Sequence, residues 1–518
     1  MSTAAAARQK TLLGALMRQR GLTRERTIKV LEQRARELGD HAFSLSLRQL
    51  DRWLAGEVET EPRLSAHLVV EDVFGHPMVI LLSPCGALPP AIRNQVGAEL
   101  RQELRTEDFV VWLAEHSGAE LGEEWKAVSD GANQVAATPR AERVAAERRT
   151  ANVSRAQIAE AVTDYYGSPE DLYRAEIGGQ QLATSIVSCP EWTGLDISLS
   201  GGRETATVIG DSAAPLEVLP GGQQAAIRRL AAAEVDGTVM VNDLLYRLVD
   251  VRVGDGILDT TFALTDFAHY ALTNDLLEDE LVGRLGRHED RWLPLRDLYL
   301  PTLDKALDLG SRCCVGGPAC LSAIARPGGD YVLVVQQRSS KVLNVTGRLA
   351  VIPKAFHQPM VDTIAEAPIR STVERELEEE LLGRQDLDQL AAEARRRVAP
   401  LHPLNSSAPA LWLLDHPDAW RLECTAFGIN LVNGNYEFAC LLIIDDAQWW
   451  DLHGHQVEAN WETMHLDCWS SLDTDGLERL TADRRWSNEG LFAFIEGLRR
   501  LKTIGGDRVA APGIERIS

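Results

Sequence analysis

A chain of 518 residues is long enough for about three domains. Its 45% apolar and 25% charged residues are the proportions of an ordinary globular protein, which excludes disordered and collagen-like classes. A formal net charge of −23 argues against a protein that coats nucleic acid along its whole length, but not against a local basic module, so charge has to be read by segment.

Eight cysteines are too sparse for a disulfide scaffold. The Ala-rich polar start around Arg8 and Lys10 carries no apolar core of a secretory signal, and no apolar run approaches a membrane span. The expectation is a cytoplasmic protein without membrane contact.

Residues 1–86 read as a compact helical unit. Leu12, Leu13, Leu16 and Met17 form one helical stripe closed by Gly21, and a second helix, capped by Thr23, carries Ile28, Leu31, Ala35 and Leu38. A third starts near Ser44 or Ser46, buries Leu47, Leu50 and Leu54, and stops at Gly56. A fourth runs from about Arg63 to Phe74 behind Pro62. Residues 87–155 form a helical connector, in which Ser129 to Arg155 is either a linker or an exposed helix. Residues 156–312 are a middle α+β region with strand-like runs at Thr205 to Ile209 and Val239 to Leu248 and no chemical motif. Residues 313–518 alternate strands and helices: strands at Tyr331 to Gln336 and within Leu343 to Ile352, and an acidic helix over Arg370 to Leu382. A hairpin of Phe427–Val432 and Tyr436–Ile444 turns at Asn433-Gly434-Asn435, and a helix runs from about Asn488 to Leu501.

Two constellations carry chemistry. Up to residue 56 the chain holds eleven basic and five acidic residues, a balance of +6 that leaves −29 for the remainder. In the third helix Arg48, Gln49 and Arg52 share the face opposite the leucine stripe. Arg and Gln are the side chains that pair bidentately with guanine and adenine edges in the major groove, and Ser44 and Ser46 sit where a helix N-terminus can approach a phosphate. The run from Ser46 through Arg52-Trp53 to Gly56, followed by Pro62, resembles the recognition helix of XRE-type (lambda-repressor-like) helix-turn-helix domains, over about residues 8–83. That resemblance implies DNA as partner, read by a homodimer on paired half-sites. The interval from Thr23 to Arg52 is about a dozen residues longer than the compact family spacing, so helix 2 or its turn is extended. A helical protein–protein module with solvated arginines is the alternative.

The second constellation is Arg375-Glu376-Leu377-Glu378-Glu379-Glu380. Helical spacing converges Glu376, Glu379 and Glu380 on one face, an oxygen cluster suited to Mg²⁺ or Mn²⁺ bridging a diphosphate. The string resembles the core of the Nudix box, and the surrounding order over about residues 315–502 resembles the Nudix α/β/α sandwich. The resemblance implies metal ligands at Glu376, Glu379 and Glu380, and a nucleotide-diphosphate-type ligand met by Lys354, His357 and Arg375. The box departs from the family: its loop is six residues longer, its expected Glu falls on Ala367 with Glu366 one position away, and its closing glycine is displaced to Gly383. Three readings stay open for this region: a solvated acidic face, a ligand-binding domain without turnover, and an active hydrolase. Cys313, Cys314 and Cys320 lack metal-ligand spacing and read as buried thiols, and His453 with His455 reads as an exposed loop or a metal pair.

The expected architecture is therefore multidomain α+β, with an N-terminal helix-turn-helix bundle, a middle α+β region and a C-terminal Nudix-like sandwich. The expected function is a DNA-binding transcriptional regulator that senses a nucleotide-type ligand. A metal-dependent hydrolase of nucleoside diphosphate derivatives, with an N-terminal targeting module, is the alternative.

Overall fold

The computed structural model describes residues 11–19, 24–37, 43–55, 64–74, 78–82, 108–210, 218–236, 238, 240, 242–289, 292–338, 347–360, 362–382, 407–457 and 463–517. It is mixed α+β. The contacts divide it into two compact units, one holding the described residues up to 82 and the other those from 108 onward. Among the described residues no helix is long and apolar enough to cross a membrane.

The first unit is helical: α1 (Leu12–Gln19), α2 (Arg24–Glu37), α3 (Leu47–Ala55), α4 (Leu64–Phe74) and α5 (Met78–Leu81). Its core takes Leu12, Leu13 and Met17 from α1, Leu31 and Ala35 from α2, Leu50, Trp53 and Leu54 from α3, and Val69, Val70 and Phe74 from α4. These are the i, i+3, i+4 positions of amphipathic helices. The periodicity was misread at one place. Leu47 is 44% exposed, and Trp53 completes the buried stripe of α3 instead.

The second unit opens with a helix over residues 108–117 (α6), then α7 (Leu121–Ala137), α8 (Arg140–Ala151) and α9 (Arg155–Tyr165). Residues 129–155 are thus mainly helix with exposed faces, not an unstructured linker. Ser154 starts α9 with a capping box: its hydroxyl accepts from the Gln157 N–H at 3.3 Å and the Gln157 side chain accepts from the Ser154 N–H at 2.8 Å. There follow β1 (Leu172–Ile177), β2 (Gln180–Val187), β3 (Thr193–Ser198), β4 (Glu204–Val208), α10 (Pro220–Asp236), β5 (Leu244–Gly254), β6 (Ile257–Asp266) and α11 (Leu276–Arg287). The chain continues through β7 (Gly316–Ala325), β8 (Tyr331–Arg338), β9 (Leu349–Val351), α12 (Ile369–Glu376), β10 (Trp420–Asn430), β11 (Tyr436–Ile444), β12 (Thr463–Ser470), α13 (Asn488–Ile504) and β13 (Ile514–Ile517).

The main sheet runs in the order β12-β8-β7-β11-β10-β2-β1-β13, with β9 on β8 and β3 on β10. Its centre is the parallel pair β7·β11, registered from Gly316↔Tyr436 to Ile324↔Ile444. These strands are buried at every position, because helices cover both faces and alternate residues feed two cores. Ala319, Leu321 and Ala323 of β7 join Leu441 and Ile443 of β11 against Leu491, Phe494, Ile495 and Leu498 of α13. Cys320, Ile324, Cys440 and Leu442 face the other way, against Ile369 and Val373 of α12.

This topology crosses the boundary expected at residue 312. β1, β2 and β3 extend the same sheet as β7–β12, and the three-stranded sheet β4-β6-β5 packs Tyr246, Leu248, Leu258 and Phe262 onto the core beneath α12. Residues 156–312 therefore do not form a separate layer. The expected hairpin is present, with β10 beginning seven residues earlier than its apolar run suggests. Gly434 turns it at φ +78°, where a Cβ would lie 2.8 Å from Arg312 Nη1 and 2.9 Å from Leu300 Cδ1.

Candidate functional site

In the first unit the chemistry sits on α3. Arg48, Gln49 and Arg52 are exposed, while Leu50, Trp53 and Leu54 on the opposite face are at most 3% exposed. Ser46 begins the helix, its hydroxyl accepting from the Gln49 N–H at 3.2 Å, and Ser44 is exposed in the extended stretch before it. The Ser46 hydroxyl is therefore the cap of this helix N-terminus. Across α2 and α3, Arg24 pairs with Asp51 at 3.0 Å, and the Thr11 hydroxyl donates to the Leu54 carbonyl at 3.3 Å. Of the long interval before Arg52, 14 residues belong to α2. Gly21, Thr23, Leu38, Gly56, Pro62 and Gly383, which the sequence reading used, lie outside the described residues.

In the second unit the acidic segment is a helix that changes pitch. α12 ends at Glu376 and continues as a π-helical turn over Leu377–Leu381. Its N-terminus is held from β4: the Glu204 carboxylate accepts from the N–H groups of Ile369 and of Arg370, the latter at 3.4 Å. Burial pushes Glu204 up to about 7 against the lowering effect of those bonds. Leu377 and Leu381 point into the core, and Glu378, Glu379 and Glu380 are at most 4% exposed. Arg375, 2% exposed, donates from Nη2 to Glu376 Oε1 at 2.8 Å and from Nη1 to the Gln358 carbonyl at 3.2 Å. Glu380 Oε2 accepts from the Lys354 backbone N–H at 2.7 Å.

The solvated acidic face expected as one reading is thus excluded for this segment, since its carboxylates are inside. Among the described residues no three His, Cys, Asp or Glu side chains form a group able to hold a metal ion. Glu376 faces Arg375, and Glu380 Oε2 holds the Lys354 amide. Glu366 has a local task as well: its two oxygens accept from Met360 N–H at 2.6 Å and Asp362 N–H at 2.8 Å, closing its own loop. His453 and His455 join no such group either.

His357 corrects its expected role. It is fully buried, with Nδ1 2.7 Å from Thr372 Oγ1, Nε2 2.8 Å from the Ala367 carbonyl, and the rings of Tyr246 and Phe262 packed against it. Burial pushes it down to about 3, so it is a neutral core residue that ties the loop to α12 and not a ligand contact. Cys313, Cys314 and Cys320 are buried free thiols, as expected, and burial pushes Cys313 up to about 12.

Lys354 is brought to a cleft. Its Nζ lies 3.5 Å from Glu489 Oε1 at the start of α13, in a cavity of about 50 Å³ shared with Glu278, Arg338, Asn435 and Glu437. Sequence reasoning missed these partners. The signal for one of them was visible: Glu437 is a charge inside the apolar strand Tyr436–Ile444. Burial, with Glu489 and Glu278 adding repulsion, pushes Glu437 up to about 8 although Lys354 opposes it. Burial, with repulsion from Glu489 and Asp275, raises Glu278 to about 8.

A folded pKa near 8 against an ordinary value of 4.5 means that the fold holds a proton the unfolded chain has lost. This contribution is complete below about 4.5 and is lost as pH rises toward about 8. Glu437→Gln abolishes the titration, so its stability relative to the native chain should climb by at least about 1 kcal/mol between pH 5 and pH 8. Urea unfolding at both pH values tests this, and parallel stabilities would contradict the assignment.

No protein-family model matches the chain, and no curated protein matches it significantly.

Proposed function

We propose that the chain is a DNA-binding transcriptional regulator whose second unit takes up a small-molecule ligand. The observation that carries the DNA half is the division of α3 into a buried Leu50/Trp53/Leu54 face and an exposed Arg48/Gln49/Arg52 face, on a helical unit rich in basic residues. A nine-residue helix with such a face suits the major groove. The order α1–α4 is in keeping with an XRE-type helix-turn-helix, and a dimer on paired half-sites is the corresponding assembly. The acidic balance of the remaining chain repels DNA elsewhere and concentrates contact on this face.

The second unit supports a Nudix-like reading through its mixed sheet with α12 on one side and α13 on the other. Its carboxylates favour a ligand-binding domain over a hydrolase: the string Arg375 to Glu380 keeps the family's residues, yet Glu376 and Glu380 are engaged within the protein. No catalytic step follows from that arrangement.

Selection of bound sequences from random duplex DNA with the intact chain tests the proposal, with and without a panel of nucleotides. The expected result is an enriched site whose affinity falls steeply with salt, by a log–log slope of about 0.9 per phosphate contacted. Failure to retain any DNA at low salt would overturn the regulator reading.

A further inference from the structure

In the second unit, α9, the β1–β2 hairpin and the segment of Ala482 and Arg484 enclose a groove of about 530 Å³. Small-molecule sites fall at roughly 300–1,000 Å³. Three arginines line this one, Arg155, Arg174 and Arg484. Arg155 is only 6% exposed. Its Nη1 donates to the Ala183 carbonyl, and its Nε, fully shielded from solvent, has no partner. The charge that acts on it is another cation, Arg348, and burial together with this repulsion pushes its pKa down to about 10. Arg155 also lines a cavity of about 10 Å³ with Arg348, Glu278 and Glu489, but no carboxylate is ion-paired to it among the described residues, so an anion in the groove would supply the direct counter-charge.

Two features of the groove supply further attraction for an anion. The N-terminus of the eleven-residue helix α9, at Ser154–Ala156, borders it and contributes a positive dipole end. Arg174 of β1 and the exposed Arg484 approach from the other walls. Glu160 and Asp164 line the same groove further along α9. They disfavour a ligand that is anionic throughout and accept from hydroxyl or amine groups.

We propose that this groove binds a phosphate-bearing small molecule, its phosphates against Arg155, Arg174 and Arg484 and its hydrogen-bond donors toward Glu160 and Asp164. The site of ligand uptake is thereby moved from Lys354, His357 and Arg375 to the α9 groove. The inference deepens the ligand half of the proposed function and does not rest on its DNA half.

Titration calorimetry of the intact chain, in magnesium-free buffer, with ATP, inorganic pyrophosphate and adenosine separates a nucleotide from a free polyphosphate. ATP binding with pyrophosphate and adenosine silent or far weaker assigns the whole molecule. Comparable binding of ATP and pyrophosphate assigns the phosphates alone. In either case the double variant Arg174→Ala/Arg484→Ala should weaken binding at least about tenfold, with an unchanged unfolding midpoint. Arg155→Met should lose binding while its unfolding midpoint holds or rises, because an uncompensated buried charge is removed. The proposal is overturned if neither phosphate compound binds the native chain, or if the double variant binds as tightly as the native chain. It is also overturned if Arg155→Met lowers the midpoint while the double variant keeps full affinity, the signature of a purely structural arginine. A chain that binds ATP but no DNA would sink the regulator reading and leave this site standing; the converse would do the opposite.

Discussion

Arg48→Ala combined with Arg52→Ala is expected to lower affinity for the selected DNA site at least about thirtyfold, since a bidentate base contact contributes about 1–3 kcal/mol. Both side chains are exposed on α3, so circular dichroism and the unfolding midpoint should change little. Arg52 lies in the last turn of the helix, where its charge meets the negative dipole end, an interaction worth about 0.3–1 kcal/mol. Arg24→Ala is the control. It deletes one positive charge from α2 and breaks a half-exposed pair with Asp51, a loss worth about 1 kcal/mol or less. It should leave sequence preference intact. If the Arg48/Arg52 variant selected and held the same site as the native chain, α3 would not be the reading helix.

Arg375→Ala is expected to destabilise the second unit by about 3–5 kcal/mol, the usual result of removing one partner from a buried ion pair. Arg375 is 2% exposed, and its loss strands the Glu376 carboxylate at the last turn of α12 and releases the Gln358 carbonyl. The double variant Arg375→Met/Glu376→Leu should recover much of the loss, because an apolar pair of similar volume needs no counter-charge. Denaturant unfolding of the three chains measures the cycle. A single variant within about 0.5 kcal/mol of the native chain would show that the pair does not hold α12, and would reopen Glu376 as an available ligand.

How far such roles can be read without coordinates differs between the two units. For α3 the residues needed were local: Leu50, Trp53 and Leu54 recur at helical spacing, and Arg48, Gln49 and Arg52 follow on the other side. Leu47 departs from that pattern: it is the first residue of the helix and is 44% exposed. For Arg375 to Glu380 the same spacing argument gave the helix but not its surroundings. Nothing in six consecutive residues states that β4 supplies Glu204 to its N-terminus, or that a π-helical turn carries Glu378, Glu379 and Glu380 inward. His357 was read as a loop residue beside Pro359, and is a loop residue, but the loop runs through the core between Tyr246 and Thr372.

The sequence by itself determined the periodic elements: the amphipathic helices of the first unit, the hairpin turned at Gly434, the strand at Tyr331 to Gln336 and the helix from Asn488 to about Leu501. Each rests on a repeat of 3.6 or 2 residues, or on a turn that only a few residue types accept. Tertiary structure alone decided that β1–β3 and β13 complete the sheet of β7–β12, that Lys354 meets Glu437 and Glu489, and that Arg155 is buried without a counter-charge beside a groove. The reason is physical. A local period fixes which side of an element is apolar, whereas strand pairing, burial of charge and the shape of a cavity depend on what a residue hundreds of positions away places against it.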